Sequence, residues 1–140
     1  VRLVIDASVA IKWFFHNKPG EQDTKQALAV LDALRSGQAS AIQPPHWLVE
    51  AMSVLARDAP PFAEEALEVL EALMLPVSTD ARVYRLGASL SHHLKHHLFD
   101  TMYHAAALEY GATLVTADDA YFGKAFRLGN IQLLTNFKVS

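Results

Sequence analysis

No cysteine occurs among the 140 residues. Disulfides and thiolate zinc sites are therefore excluded, which fits a cytoplasmic, reducing setting. Long hydrophobic runs are also missing. No apolar stretch reaches the length that spans a bilayer, so no membrane attachment is expected. The opening VRLVIDASVAIKWFF is apolar, but Asp6 and Lys12 interrupt it and no cleavage site follows, so it does not read as a signal peptide. Neither G-x-G-x-x-G nor G-x-x-x-x-G-K-[ST] occurs, which removes dinucleotide-binding and P-loop readings. An excess of positive charge is absent as well, the formal net charge being −3. A protein that coats nucleic acid through phosphate contacts alone is usually basic. An enzyme that touches nucleic acid locally is not excluded by that balance. There is no internal repeat, low-complexity segment or linker, and the length fits one domain over residues 1–140 with a sizeable core.

What is present is an alternation of strands and helices. RLVI is a short β-branched run ending at Asp6 and reads as a buried strand. SVAIKWFF predicts a short helix, and NKPGEQ a loop. Ala27, Leu28, Leu31 and Leu34 recur at helical spacing from Asp23 to Leu34, before SGQ breaks the helix. SAIQ predicts a weak second strand. PPHWLVEAMSVLAR reads as a helix with prolines in its first turn, and Pro60-Pro61 as the start of another. LPVS is a third strand candidate. Residues 80 to 97 read as a helix ending in HHLKHH. Residues 100 to 110 form a further helix stopped by Gly111. ATLVT and IQLL supply the last strands, with a loop and a short helix between them. Strands alternating with helices, most of the strands uniformly apolar, argue for an α/β fold, a sandwich around a mostly parallel sheet.

Four acids stand at the ends of these elements. Asp6 follows the first strand and Asp118 follows ATLVT, at the strand ends where open parallel sheets bind ligands. Asp100 lies at a helix start, and Glu50 at the margin of the apolar arc formed by Trp47, Leu48, Ala51, Met52, Val54 and Leu55. Each has an ordinary explanation when taken alone. Asp6 and Asp100 suit helix N-caps, Asp118 a turn cap, and Glu50 a rim position with a solvated head. The functional case rests on all four occurring in one register. Two carboxylates ~5 Å apart repel by about 3 kcal/mol at an effective dielectric of about 20. A divalent cation relieves that repulsion, and all-oxygen ligands favour Mg²⁺ or Mn²⁺. Such a site polarises phosphoryl oxygens and acidifies bound water, which suits phosphodiester hydrolysis.

In order and spacing, VIDASVAIKWF, PPHWLVEAMSVL and FDTMYHAAALEYGATLVTADDAYF resemble the sequence blocks of PIN-domain ribonucleases. Among these, the VapC-like toxins of bacterial toxin–antitoxin pairs are the nearest in kind. The resemblance implies a PIN-like three-layer α/β sandwich and a metal-dependent endoribonuclease, usually a homodimer inhibited by a cognate small antitoxin. Carried over by position, it makes Asp6, Glu50, Asp100 and Asp118 the acidic tetrad. Asp6, Asp100 and Asp118 are then the expected metal ligands. Ser8 and Thr116 match small hydroxyl positions that would orient the carboxylates or metal-bound water. Asp119 either shares the role of Asp118 or is a solvent-facing turn residue.

Other features have plainer readings. HHLKHH sets His92 with His96 and His93 with His97 at i,i+4. It suits an exposed helix end, with an RNA contact or a metal site as the functional alternatives. His104 is expected to pack on its helix. Glu64, Glu65, Glu68 and Glu71 form the solvated face of an amphipathic helix. Trp13, Phe14 and Phe15 belong partly to the core and partly to a partner groove. Two rival functions can be told apart. A phosphatase with a nucleophilic aspartate of the haloacid-dehalogenase type would carry a second aspartate two residues beyond Asp6, which DASVA lacks. A non-catalytic module with the same fold, binding RNA or protein, would be marked by a lost acid, whereas all four are present.

Overall fold

A computed structural model describes residues 1–15 and 17–139. Four strands form its sheet: β1 (Arg2–Ile5), β2 (Ser40–Ala41), β3 (Thr113–Thr116) and β4 (Ile131–Leu133), in the order β2-β1-β3-β4. Every pairing is parallel. Helices flank the sheet, so the expected sandwich is borne out. They are α1 (Ala7–Ala10), α2 (Lys12–Phe15), α3 (Thr24–Ser36), α4 (Trp47–Asp58), α5 (Ala63–Ala72), α6 (Ala81–Leu94), α7 (Leu98–Tyr110) and α8 (Asp119–Ala125). The chain leaves β1 to lay β2 on one side and later returns to lay β3 on the other. The β1–β3 junction is therefore the topological switch point, where parallel sheets open a crevice beyond their strand ends. Ile5 pairs with Val115, so the next residues, Asp6 and Thr116, emerge side by side there.

The core explains this placement. Leu3, Val4 and Ile5 are buried, as are Leu114 and Val115. α7 is buried from Thr101 to Ala107 and packs on β1 and β3. Its alanines, Ala105, Ala106 and Ala107, let the helix lie close to the strands. On its other side α6 approaches through Gly87, where an added Cβ would sit 2.6 Å from Met102 Sδ. Gly111 stops α7 in the left-handed conformation at φ 62°, as expected.

Proline explains the departures from the expected strands. LPVS contributes only one parallel bridge, Gln43 to Val77. Gln43 N donates to Pro76 O at 2.8 Å, and Ser78 N donates to Gln43 O at 2.9 Å. The next rung needs the N–H of residue 45, which is proline and has none. β2 is short for a related reason. The buried Gln43 side chain accepts from Ile5 N at 2.7 Å and donates to Ile5 O at 2.9 Å, in place of further strand backbone. α4 begins at Trp47, beyond the prolines, whereas Pro60-Pro61 open a 3₁₀ turn that leads into α5. α6 ends at Leu94 because Lys95 adopts the left-handed conformation. His96 and His97 therefore lie outside it, and the i,i+4 histidine pairs are not formed. Glu64, Glu65, Glu68 and Glu71 are exposed on α5, as expected.

Candidate metal centre

Each acid reaches the crevice from a different element. Asp6 leaves β1 and caps α1, accepting from Ser8 N at 3.1 Å. Glu50 sits one turn into α4. Asp100 lies in the first turn of α7, whose N-cap is His97, so Asp100 is not itself the cap. Asp118 caps α8, accepting from Tyr121 N at 3.0 Å. One ligand atom each from Asp6, Glu50 and Asp100 lies within 4.8 Å of the others. A second group of the same span joins Asp118 and His96 to Asp100, which both groups share. Asp119 is exposed and belongs to neither group.

The hydrogen bonds follow one pattern. Asp6 Oδ2 accepts from Ser8 Oγ and Ser8 N, with Thr116 Oγ1 at 3.4 Å. Glu50 Oε1 accepts from the Tyr103 hydroxyl at 3.0 Å. Asp100 Oδ2 accepts from His96 Nε2 at 2.8 Å. Asp118 uses Oδ1 for Tyr121 N. Each carboxylate thus spends one oxygen on being held in place, and its other oxygen takes no donor from the described residues. Ser8 and Thr116 also tie the two strand ends together. Ala117 N donates to Ser8 Oγ and Asp118 N to Thr116 Oγ1, both at 3.1 Å.

The electrostatics call for a cation. Among the described residues, no lysine or arginine pairs with any of the four acids. Burial pushes the Asp6 carboxyl from 3.8 up to about 7, against the pull of the Ser8 hydrogen bond, and the charges of Glu50 and Asp100 add to the rise. Glu50 is also raised, first by burial and then by Asp100, while the Tyr103 bond opposes. Burial and the charges of Asp6 and Glu50 raise Tyr103, which keeps its proton and serves as a donor. An ion with oxygens at about 2.1 Å sets opposite ligands about 4.2 Å apart. Oxygens spread over no more than 4.8 Å need only small rotamer changes to close on one. The donor set therefore fits a divalent cation.

His96 is oriented for a different task. Lys124 Nζ lies 3.2 Å from His96 Nδ1. An ammonium only donates, so Nδ1 is the acceptor and Nε2 carries the proton it gives to Asp100. A nitrogen bearing a proton cannot ligate metal, so in this arrangement His96 holds Asp100 and is not itself a ligand. Tyr103 and Lys124 were not picked out by sequence reasoning, and His96 was named only as one of the HHLKHH histidines. Tyr103 stands three residues after Asp100, on the same face of α7, which was the available signal. His104 is buried, and its ring bonds the Tyr121 hydroxyl and Gly129 O, both at 2.8 Å.

A family model described as PIN domain matches residues 3–126. A search of curated proteins finds no match. Among solved structures, the crystal structure of VapBC2 from Rickettsia felis bound to a DNA fragment from their promoter shares the fold. Its TM-score is 0.63 at 14% identity, over 95% of this chain and 97% of that one.

Proposed function

The chain belongs to the PIN-domain family, and from that premise we propose that it is a metal-dependent endoribonuclease, the toxin of a toxin–antitoxin pair. The observation that carries this reading is the shared pattern of the four acids, each anchored through one oxygen and open at the other. Ligating carboxylates in metalloproteins are held in this way by outer hydrogen bonds. Asp6 and Asp100 would hold a Mg²⁺ or Mn²⁺ ion, with Glu50 on one side and Asp118 on the other. When bound, the ion polarises a phosphoryl oxygen and acidifies water. Glu50, raised by burial, suits the proton of the attacking water at Oε2, the oxygen that Tyr103 leaves free. Ser8, Thr116, Tyr103 and His96 keep the carboxylates in register.

The partner reading has its own support. An apolar groove of about 490 Å³ lies between α2, α4 and α5, lined by Trp13, Phe14, Phe15, Leu55, Phe62 and Val69. It is the groove expected from the IKWFF helix and the helices after Pro45 and Pro61. Such a groove suits an amphipathic helix of a small antitoxin. An arginine or lysine of the same inhibitor would be drawn to the acids and would compete with metal. Exposed Tyr84, Leu98 and Phe99 offer apolar surface to a second copy in a homodimer.

The test is cleavage of a structured RNA with Mn²⁺, with chelator, and after Mn²⁺ is restored. Cleavage that follows the metal supports the enzyme. RNA that binds but stays intact under every condition supports the binding module instead. Toxicity in the host, relieved by the product of a neighbouring gene, supports the toxin assignment. A harmless chain that no small protein accompanies contradicts it.

A further inference from the structure

We propose that the cavity where α6, α7 and α8 meet is a phosphate subsite. It would take a phosphodiester of the RNA strand next to the one held at the acids. The proposal rests on the nuclease reading above and adds the place where the polyanion finds its positive charge. That place is not obvious in a chain of net charge −3 whose centre holds four carboxylates. Several cations are already engaged: Lys12 with Glu21, Arg57 with Asp58, and Arg82 with Asp80 and Glu109. Lys95 and Lys124 have no carboxylate partner among the described residues.

Both line a cavity of about 570 Å³ together with Ser91, His96, His97 and Leu98. The cavity adjoins the metal centre through a single ring. His96 faces Asp100 with Nε2 at 2.8 Å and Lys124 with Nδ1 at 3.2 Å. Lys124 Nζ also donates to Lys95 O at 3.1 Å. An ammonium has three protons. Two are spent on holding Lys124 in place, and the third is left for a ligand oxygen. Lys95 adds a second observation. It occupies a left-handed position at φ 51° and ψ 53°, where glycine is the unstrained choice. The residue at this strained position carries a cationic side chain beside the cavity.

Lys124 also acts as a strut between α8 and the turn after α6, so the experiment must separate binding from structure. A labelled single-stranded oligoribonucleotide is titrated into the full chain in chelator, across a range of salt, with melting temperature measured in parallel. Lys124→Gln should weaken binding several-fold and flatten the slope of log K against log salt by about 0.7, the value for one lost phosphate contact on a single strand. Lys124→Arg should restore most of the affinity. Lys95→Gly should weaken binding while raising the melting temperature, opposite signs that a purely structural role would not give. If the wild type cleaves RNA but both variants bind it with unchanged affinity and slope, the subsite is overturned and the nuclease stands. If inorganic phosphate stabilises the wild type and not Lys124→Gln while RNA affinity is the same, the cavity is a free-anion site and the RNA assignment is overturned. A wild type that neither binds nor cleaves RNA overturns the nuclease reading and the subsite with it.

Discussion

Burial and the neighbouring carboxylates bear heavily on Asp6. Its folded carboxyl titrates near 7, against 3.8 for the free group. Below about pH 4 it is neutral in both folded and unfolded chains, and above about pH 7 it is charged in both. Between those limits the folded state holds a proton that the unfolded state has lost, so stability falls as pH rises. The full shift corresponds to roughly 4 kcal/mol. Asp6→Asn keeps an acceptor for Ser8 and removes the charge. In chelator its melting temperature should exceed that of the wild type, with a larger gap at pH 8 than at pH 4.5. A gap that is flat with pH would show that Asp6 is not the group responsible. Ser8→Ala removes the hydroxyl donor to Asp6 Oδ2, keeps the backbone one, and leaves Ala117 N without its acceptor. RNA cleavage should fall about 10–100-fold, the usual cost of losing an outer-shell partner, with a matching rise in the Mn²⁺ concentration needed. At this scale the sequence was half legible. Strand ends and helix starts pointed to the acids because an acid there needs a reason. Tyr103 was hidden because its partner lies 53 residues away, and His96 was read only in its i,i+4 pair because nothing announced the helix break that turns it towards Asp100.

The helices set the geometry through a few backbone details. α7 carries Asp100, and its distance from α6 is fixed at Gly87, whose carbonyl accepts from Thr101 Oγ1 at 2.8 Å. A methyl group at Gly87 clashes only with the Met102 side chain, Sδ at 2.6 Å and Cγ at 3.3 Å, while the Met102 Cα at 3.5 Å is an ordinary contact, and alanine regains about 1 kcal/mol of helix propensity. Gly87→Ala should therefore melt close to the wild type. A branched side chain also crowds the backbone of α7, so Gly87→Val should cost about 1–3 kcal/mol by overpacking. Thermal melts of the two variants test this, and equal losses would contradict the close approach. Periodicity located α3 and α5 well because their apolar faces are clear, whereas α7, buried continuously from Thr101 to Ala107, was marked by its stop at Gly111. It ran α6 too far, through HHLKHH, since nothing in that composition announces a left-handed Lys95. It also promoted LPVS to a strand, where the missing N–H of Pro45 allows one bridge only.

For the whole molecule, the parallel sheet was legible because its central strands β1 and β3 are mostly apolar, and the switch point between them then placed Asp6 and Asp118 on one rim. The contribution of Asp100 to two groups was not legible, since it depends on the packing of α7 between α6 and the sheet. A metal held by the four acids would bind only the folded chain, so millimolar Mn²⁺ should raise the melting temperature of the wild type. The rise should shrink in Asp100→Asn, and a curve indifferent to Mn²⁺ would remove the metal centre. In the proposed toxin reading, inhibition by a small antitoxin would join two surfaces. Its affinity should weaken when Asp6→Asn neutralises part of the crevice, and the residual binding should be lost when Phe14 and Phe62 in the apolar groove are replaced by polar residues. Titration of the co-expressed partner checks both. The most direct measurement of the central claim is single-turnover cleavage of RNA by the wild type and by Asp100→Asn at saturating Mn²⁺, each verified as folded. Loss of a ligand should exceed the loss of an outer-shell partner, so the variant should be more than about 100-fold slower. An Asp100→Asn protein that is folded and cleaves as fast as the wild type would contradict the account.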